Sequence, residues 1–586
     1  MEKNTLLAVV LSVIVITIGF MIQNYFYPPV PPEPVQKTEQ SSPTQTTPPT
    51  TKPVEATPVS PVVSPSTQAI PATGTIVPVK GDTEPRESIL TLETDFFLVT
   101  FSTKGGVVKS LKLKEHKDKD DLVDMVLPAS KDPGAFALSF GGPGAPALDV
   151  PFFARKVDAH TIEFYREFEV TGFPDSAFRL TKRYIFKPGE YLMQIDIVLE
   201  DSNLNSVLPL NFNNVAYTLR YGPQLGPQFT KLDGQGDYRH FYAFVEKKRK
   251  EIKVPEGKDK EVTEKPTWVG IVGKYFTVIA APVVPEYSIL LSTAPVEGIP
   301  QSAQIYISRP VIRTARQIDT YRFYLGPKVT KYLGQYNNKN DNAFGLQDMN
   351  FDEAIDSSIF LGWLEAILKF LLRLFYGIIP NWGVAIILVT IVMKILMFPL
   401  THKSYESTSK MQTLAPKMEE LKRKYKDNPT KLNQEMAELY KREGINPMSG
   451  CLPMLLQIPI FFAMYGLFSK HFDLRGAAFI PPWITDLSAP ESIYSFAPHK
   501  LPLLGWSDIR LLPILFVVTQ LISGMFTQTA GTASNAQMKM MTYGIPIIFF
   551  FILYDVPSGL LVYWIVMNIL TIFQQMYINR KRRVSQ

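Results

Sequence analysis

Hydrophobic and polar positions along this chain follow three different rhythms. From Leu6 to Ile22 seventeen apolar or small residues run without a charge, and Phe20, Tyr25, Phe26 and Tyr27 crowd the far end. A run of about 20 residues spans a bilayer, with aromatics at its interfaces. No small-x-small cleavage site follows, so residues 1–27 read as an uncleaved anchor rather than a signal peptide. Between about Ser88 and Lys328 the rhythm is period two. LETDFFLVTFST, FRLTKRYIF, YLMQIDIVLED and AQIYISR alternate or run β-rich, with turn signals at SFGGPG and KPGEY. This predicts one large β-sandwich over residues 87–335, without internal repeats. The charge run at 246–265 reads as a solvated loop or long hairpin.

After Asn350 the rhythm becomes helical and strongly apolar. Glu365, Lys369 and Arg373 repeat every four residues, with Ile367, Leu368, Leu371, Leu372 and Phe375 on the other sides. Residues 351–380 therefore read as an amphipathic helix lying in the membrane interface. Crossing segments are expected at Trp382–Phe398, Leu452–Phe468, Leu511–Thr527, Thr542–Tyr554 and Ser558–Ile578, the last two joined tightly through DVPSG. With the anchor these make six spans. Between the first two, Met411, Leu414, Met418, Leu421 and Tyr425 step by three and four. Asp427-Asn428-Pro429 interrupts that seam, and Leu432, Met436 and Leu439 resume it. Residues 400–443 are thus expected to form an antiparallel helical hairpin within the 381–586 core.

Composition adds a tether and an orientation. Residues 28–86 are rich in Pro, Thr and Ser and lack aromatics, so they read as a disordered linker. Residues 401–443 carry ten Lys/Arg and the tail Arg580, Lys581, Arg582, Arg583 adds four, whereas 470–510 carries four. Basic loops stay cytoplasmic. Both termini then lie inside and the β domain outside, which suits a bacterial inner membrane and a periplasm. The net charge of +6 is too weak and dispersed to indicate direct nucleic-acid recognition. A single cysteine, Cys451, excludes an intramolecular disulfide and a cysteine zinc cluster. Six scattered histidines without HExxH spacing give no metal site, and neither GxxxxGK[ST] nor GxGxxG occurs.

Lys394, in TIVMKILMFPL, is the sharpest chemical feature, because a lysine at the centre of a span costs roughly 2.5–3.5 kcal/mol. It could snorkel to the cytoplasmic interface. Alternatively it faces a wet cavity with Thr390, Gln457, Thr519, Gln520, Ser523, Tyr563, Asn568 and Gln574. The spans contain no acidic residue, which argues against the rival reading, a secondary transporter or channel. A Ser/Lys hydrolase would need a serine from another span, so no enzyme is expected.

NWGVAIILVTIVMKILMFPLT, the helical hairpin, GINPMSGCLPMLLQIPIFFAMY and PSGLLVYWIVMNILTIFQQ resemble the YidC/Oxa family of membrane protein insertases. FSTKGGVVKSL, TKRYIFKPGEY, TWVGIVGKYF and FYLGPK resemble the periplasmic domain of its Gram-negative form. The resemblance runs the full length. It implies a five-helix core around a hydrophilic groove, closed to the periplasm, that inserts and helps fold inner-membrane proteins. It implies nascent membrane proteins as substrates, and as partners the Sec translocon (SecYEG, SecDF), the ribosome, the signal recognition particle receptor and membrane lipids; it implies no cofactor. The family usually has Arg where Lys394 stands, and Lys is a point charge without the guanidinium fork. Groove positions carry over to Thr390, Gln457 and Tyr563, with Gln520 and Asn568 beside them. Trp564 stands where a second Tyr is frequent, and loses its hydroxyl. Phe461 and Met464 are expected to form the apolar slide towards lipid.

Overall fold

The computed structural model describes residues 74–584, apart from 119–120, 128–131, 173–176, 203–207, 209, 223–225, 227–237, 297–301, 356–360, 445–451, 497–498, 500, 502–504 and 528–542. The expected anchor, most of the linker and the INPMSGC stretch lie outside the described residues. The chain divides into two units, one of β-strands and one of helices.

The β unit is built on a ten-stranded sheet whose centre is antiparallel: Thr161–Val170, Phe178–Phe186, Leu192–Asp201 and Arg316–Pro327. A four-stranded sheet and a five-stranded sheet are the other two. Both pack on the large one. Phe101 of the four-stranded sheet meets Phe164, Tyr184 and Phe186, and Tyr217 of the five-stranded sheet meets Tyr321. Alternating strands place their apolar faces in this interior. The sheets approach so closely at Gly106, with positive φ, that a Cβ there would lie 2.9 Å from that of Phe164. Inside, Lys182 is fully buried and donates to the carbonyls of Gly105 (3.0 Å) and Phe136 (2.7 Å). Burial pulls its ammonium down to about 7.

Two sequence expectations change here. Ile76–Pro78, inside the stretch read as linker, is a strand paired with Phe168–Val170, because an edge strand needs little apolar content when its partner supplies the core. The charge run at 246–265 is not one self-paired hairpin. Lys248–Ile252 ends the ten-stranded sheet, and Asp259–Val262 pairs with Ser288–Ser292 in the five-stranded one.

The helical unit contains α1 (Thr330–Gly334), α2 (Gly362–Ile378), α3 (Trp382–Thr413), α4 (Ala415–Lys424), α5 (Pro429–Arg442), α6 (Leu452–Lys470), α7 (Leu512–Thr527), α8 (Ile545–Ile552) and α9 (Ser558–Val584). Its core joins Leu364, Leu368 and Leu372 of α2 to Ile386 and Val389 of α3, Phe468 of α6, Phe516 of α7 and Leu560 of α9. Among the described residues, two helical stretches are long and apolar enough to cross a membrane, Trp382–Ser404 and Ser558–Ile578; Leu512–Phe526 is a shorter apolar one.

The interfacial helix is shorter than 351–380 and differently turned. Phe351–Ala354 is a separate 3-10 turn. On α2, Leu364, Leu368 and Leu372 face the core, whereas Trp363, Ile367, Phe370, Leu374 and Ile378 are exposed. The charged row lies against the end of α6: Arg373 pairs with Asp473, and Glu365 lies so close to Gly466 that a Cβ there would meet its carboxylate at 2.6 Å. The sequence showed which residues share a face, and packing decided which face is covered.

The first span and the hairpin are also continuous. α3 runs through Pro399 to Thr413, and the break falls at Leu414, before a proline in the first turn of α4.

Candidate functional site

The site is a line of polar side chains between α3, α7 and α9. On α3, Thr390, Lys394, Thr401 and Ser404 are all buried, at steps of four, seven and three. These steps keep one side of a helix for 14 residues, about 21 Å at 1.5 Å per residue. Thr390 donates to the Ile386 carbonyl at 2.7 Å, satisfying its hydroxyl within its own helix. Opposite, α9 presents Asn568, Thr571, Gln574 and Gln575.

Cross-helix hydrogen bonds join the two rows. Lys394 Nζ donates to Thr571 Oγ1 at 2.8 Å, and that hydroxyl donates to the Met567 carbonyl at 2.8 Å. Gln574 Nε2 donates to Thr401 Oγ1 at 3.2 Å. Asn568 Nδ2 donates to Thr519 Oγ1 on α7 at 3.3 Å. The seam also carries unspent polar capacity. Gln520 Oε1, Tyr563 hydroxyl, Gln574 Oε1 and Gln575 Nε2 are buried without a hydrogen-bond partner among the described residues. Each such group costs roughly 1–3 kcal/mol until a partner arrives.

Of the predicted residues, Lys394 reaches Thr571 and Asn568 reaches Thr519, Thr390 is buried one turn from Lys394, Tyr563 is fully buried and Gln520 is half-buried with its Oε1 enclosed. Gln457 is half-buried on α6 and has no hydrogen bond to these side chains among the described residues. Trp564 makes aromatic contacts: its ring meets Phe461 at 4.7 Å and Phe516 at 4.8 Å, in a cluster between α6, α7 and α9. Spacings of four, seven and eleven residues put Trp564 on the same side of α9 as Asn568, Thr571 and Gln575, so the aromatic cluster continues that side of the helix. Phe461 is half-buried in that cluster, but Met464 is fully buried and offers no surface to a sliding segment. It belongs to the inward stripe Ile460, Ala463, Met464, Leu467 and Phe468 of α6.

Sequence reasoning missed Thr401, Ser404, Thr571 and Gln575. The signal was present: Thr401 and Ser404 follow Lys394 by seven and ten residues, and Thr571 and Gln575 follow Asn568 by three and seven. Threonine and serine are common enough in apolar helices that spacing alone did not select them.

The helical hairpin closes on Met411, Leu414, Met418 and Leu439, with Leu421, Met436 and Tyr440 around them. Tyr425 donates its hydroxyl to Glu435 at 3.1 Å, so it serves the turn end as a polar contact. Leu432 is half-buried and outside that cluster. Asn428 caps α5 by accepting from Lys431 N. Among the described residues no group of three or more His, Cys, Asp or Glu could hold a metal.

Comparison with known proteins divides the chain into two matched regions. Residues 89–374 match the YidC periplasmic domain, and residues 374–585 match the family described as 60Kd inner membrane protein. The membrane protein insertase YidC of Treponema denticola is 39% identical, with 100% of each chain covered. That of Treponema pallidum is 36% identical, with 99% of each covered. Among solved structures, an active YidC insertase with its first transmembrane domain resolved covers 84% of this chain and 94% of its own, at 16% identity and a TM-score of 0.34.

Proposed function

As the chain belongs to the YidC family of membrane protein insertases, we propose that its polar seam is the surface that receives the hydrophilic part of an entering substrate. It is an inner-membrane protein with a mostly β periplasmic domain, it inserts membrane proteins, and it is not an enzyme. Its clients are nascent membrane proteins.

The observation that carries it is buried Lys394 on Thr571, within a band of side chains whose donors and acceptors are not all used. A polar segment entering apolar surroundings must give up water, at a cost of several kcal/mol per unpaired group. Thr390, Gln520, Tyr563, Asn568 and Gln574 supply replacement partners, and Lys394 supplies a positive charge for acidic residues. The apolar part of the substrate moves to lipid, where burial of about 20 residues drives the step without a nucleotide. Phe461 and Trp564 border that path. Gln457 lies at its edge.

Around this seam we place six spans, five of them forming the core, with both termini and the hairpin of Met411, Leu414, Met418, Leu421 and Met436 in the cytoplasm. That hairpin offers the contact for the ribosome and the signal recognition particle receptor, and larger clients are shared with the Sec translocon. The support is the excess of Lys/Arg in 401–443 over 470–510.

The test is insertion of a small single-span substrate with an acidic tail into vesicles. Lys394→Arg should remain active, Lys394→Ala should be impaired, and Lys394→Glu should be worst. Equal insertion by all of them would remove the electrostatic role of Lys394.

A further inference from the structure

The loop between α6 and α7 carries an apolar patch that the insertion mechanism does not use. Tyr494–Ser495 pairs antiparallel with Asp508–Ile509, and Tyr494 stands directly opposite Ile509. Cross-strand partners project to one face, and so does Phe496, two residues from Tyr494. Tyr494 is 63% exposed and Ile509 42%. Leu501 is exposed as well.

This hairpin is not loosely attached. Trp506 stacks on Tyr554 with ring centroids 3.7 Å apart and meets Phe550 and Phe551 of α8. The Tyr554 hydroxyl donates to the Asp508 carbonyl at 2.8 Å. Arg510 lies over the Tyr554 ring, donates to the Tyr554 carbonyl and pairs with Asp555. The hairpin base is therefore fixed to the end of α8.

That fixation sets what covers the patch. Ile547, Ile548 and Phe551 of α8 are exposed, as are Ile514, Val518 and Ile522, spaced by four along α7. These are the apolar faces that meet lipid if α7 and α8 cross the membrane, a premise taken from the function proposed above. Trp506 bridges from exposed Phe551 to the hairpin, so the band of α8 continues into it. Tyr, Trp and Arg beside the end of an apolar band are the residues that sit at headgroup level.

We infer that the strand pair Tyr494–Ser495 and Asp508–Ile509 rests in the outer-leaflet interface of the phospholipid bilayer, with Tyr494 and Ile509 among the upper acyl chains and Arg510 and Asp555 at the headgroups. It fixes the outer ends of α7 and α8 at a set depth.

The test uses the full chain with Cys451→Ser and one new cysteine carrying an environment-sensitive fluorophore, in phosphatidylethanolamine/phosphatidylglycerol vesicles. The quenchers are nitroxides placed on the headgroup, high on the acyl chain or deep on it. At Tyr494→Cys and Ile509→Cys, high-chain nitroxide should quench about twofold more than deep nitroxide, because interfacial elements sit about 5–10 Å into the boundary. Val518→Cys should respond most to deep nitroxide, and exposed Lys80→Cys in the β unit to none. If Tyr494→Cys and Ile509→Cys match Lys80→Cys while Val518→Cys is quenched, the inference is wrong and water or a protein partner covers the patch. If Val518→Cys is also unquenched, the spanning arrangement itself fails.

Discussion

Lys182 and Lys394 are both buried lysines, and the two units treat them in opposite ways. Lys182 ends on two backbone carbonyls of loops that cannot turn away, those of Gly105 and Phe136. Lys394 donates to a side-chain hydroxyl, Thr571, one turn from the amides of Gln574 and Gln575, which keep unused hydrogen-bonding atoms. A donor held by fixed acceptors ties sheets together and leaves nothing for a visitor. A donor on a rotatable hydroxyl can exchange its partner for one on an arriving chain. The same residue type is thus a fastener in the β unit and, in the function we propose, a receptor in the helical unit.

The strongest way to break this comparison is charge reversal. Lys394→Glu should lower insertion of an acidic-tailed substrate by at least about tenfold, since repulsion at contact distance exceeds the roughly 1.4 kcal/mol that a factor of ten requires. Protease protection of the β unit should stay unchanged. A loss of that protection would mean that Lys394 acts on folding rather than on substrate.

Lys182→Ala should give the converse. It leaves a cavity and two unpaired carbonyls, so the β unit should lose about 3–5 kcal/mol, read as the urea midpoint of its protease protection. Insertion by the helical unit should change little.

Thr571→Val keeps the side-chain shape and removes the hydroxyl beneath Lys394. Insertion of acidic-tailed substrates should shift severalfold, corresponding to about 1 kcal/mol, and neutral-tailed substrates should respond less. An equal response from both substrates would assign Thr571 to packing.

The most gradual effect is a pH dependence. Folded Lys182 titrates near 7 and an unfolded lysine near 10.5. Between these values the unfolded chain binds the extra proton, so raising the pH through this window stabilises the β unit. The stability of the native chain relative to Lys182→Met should therefore rise with pH from about 7 to 10, by at most about 1.4 kcal/mol per unit. A flat difference would mean that Lys182 keeps its proton across the window.

Much of the site was legible because helical spacing is rigid. Lys394 and Thr390 are one turn apart, so their shared face followed from the sequence. The Met411, Leu414 and Met418 seam followed in the same way, and three of its members are buried as spaced. Met464, fully buried rather than open to a sliding segment, was harder to place for the complementary reason. Periodicity says which residues share a side of a helix, but not which neighbour that side meets.

The sequence by itself determined the order of elements, the change from period two to helical period near Asn350, and the burden of a lysine among apolar residues, because these depend on local geometry and solvation alone. Only the tertiary structure decided that Thr571 lies beneath Lys394, 177 residues away in sequence, and that on α2 Leu364, Leu368 and Leu372 are covered while Trp363, Ile367 and Phe370 are exposed. It also decided that Ile76–Pro78 joins the large sheet. Each depends on which surfaces pack together, and several helices and strands of similar pattern compete for the same partners.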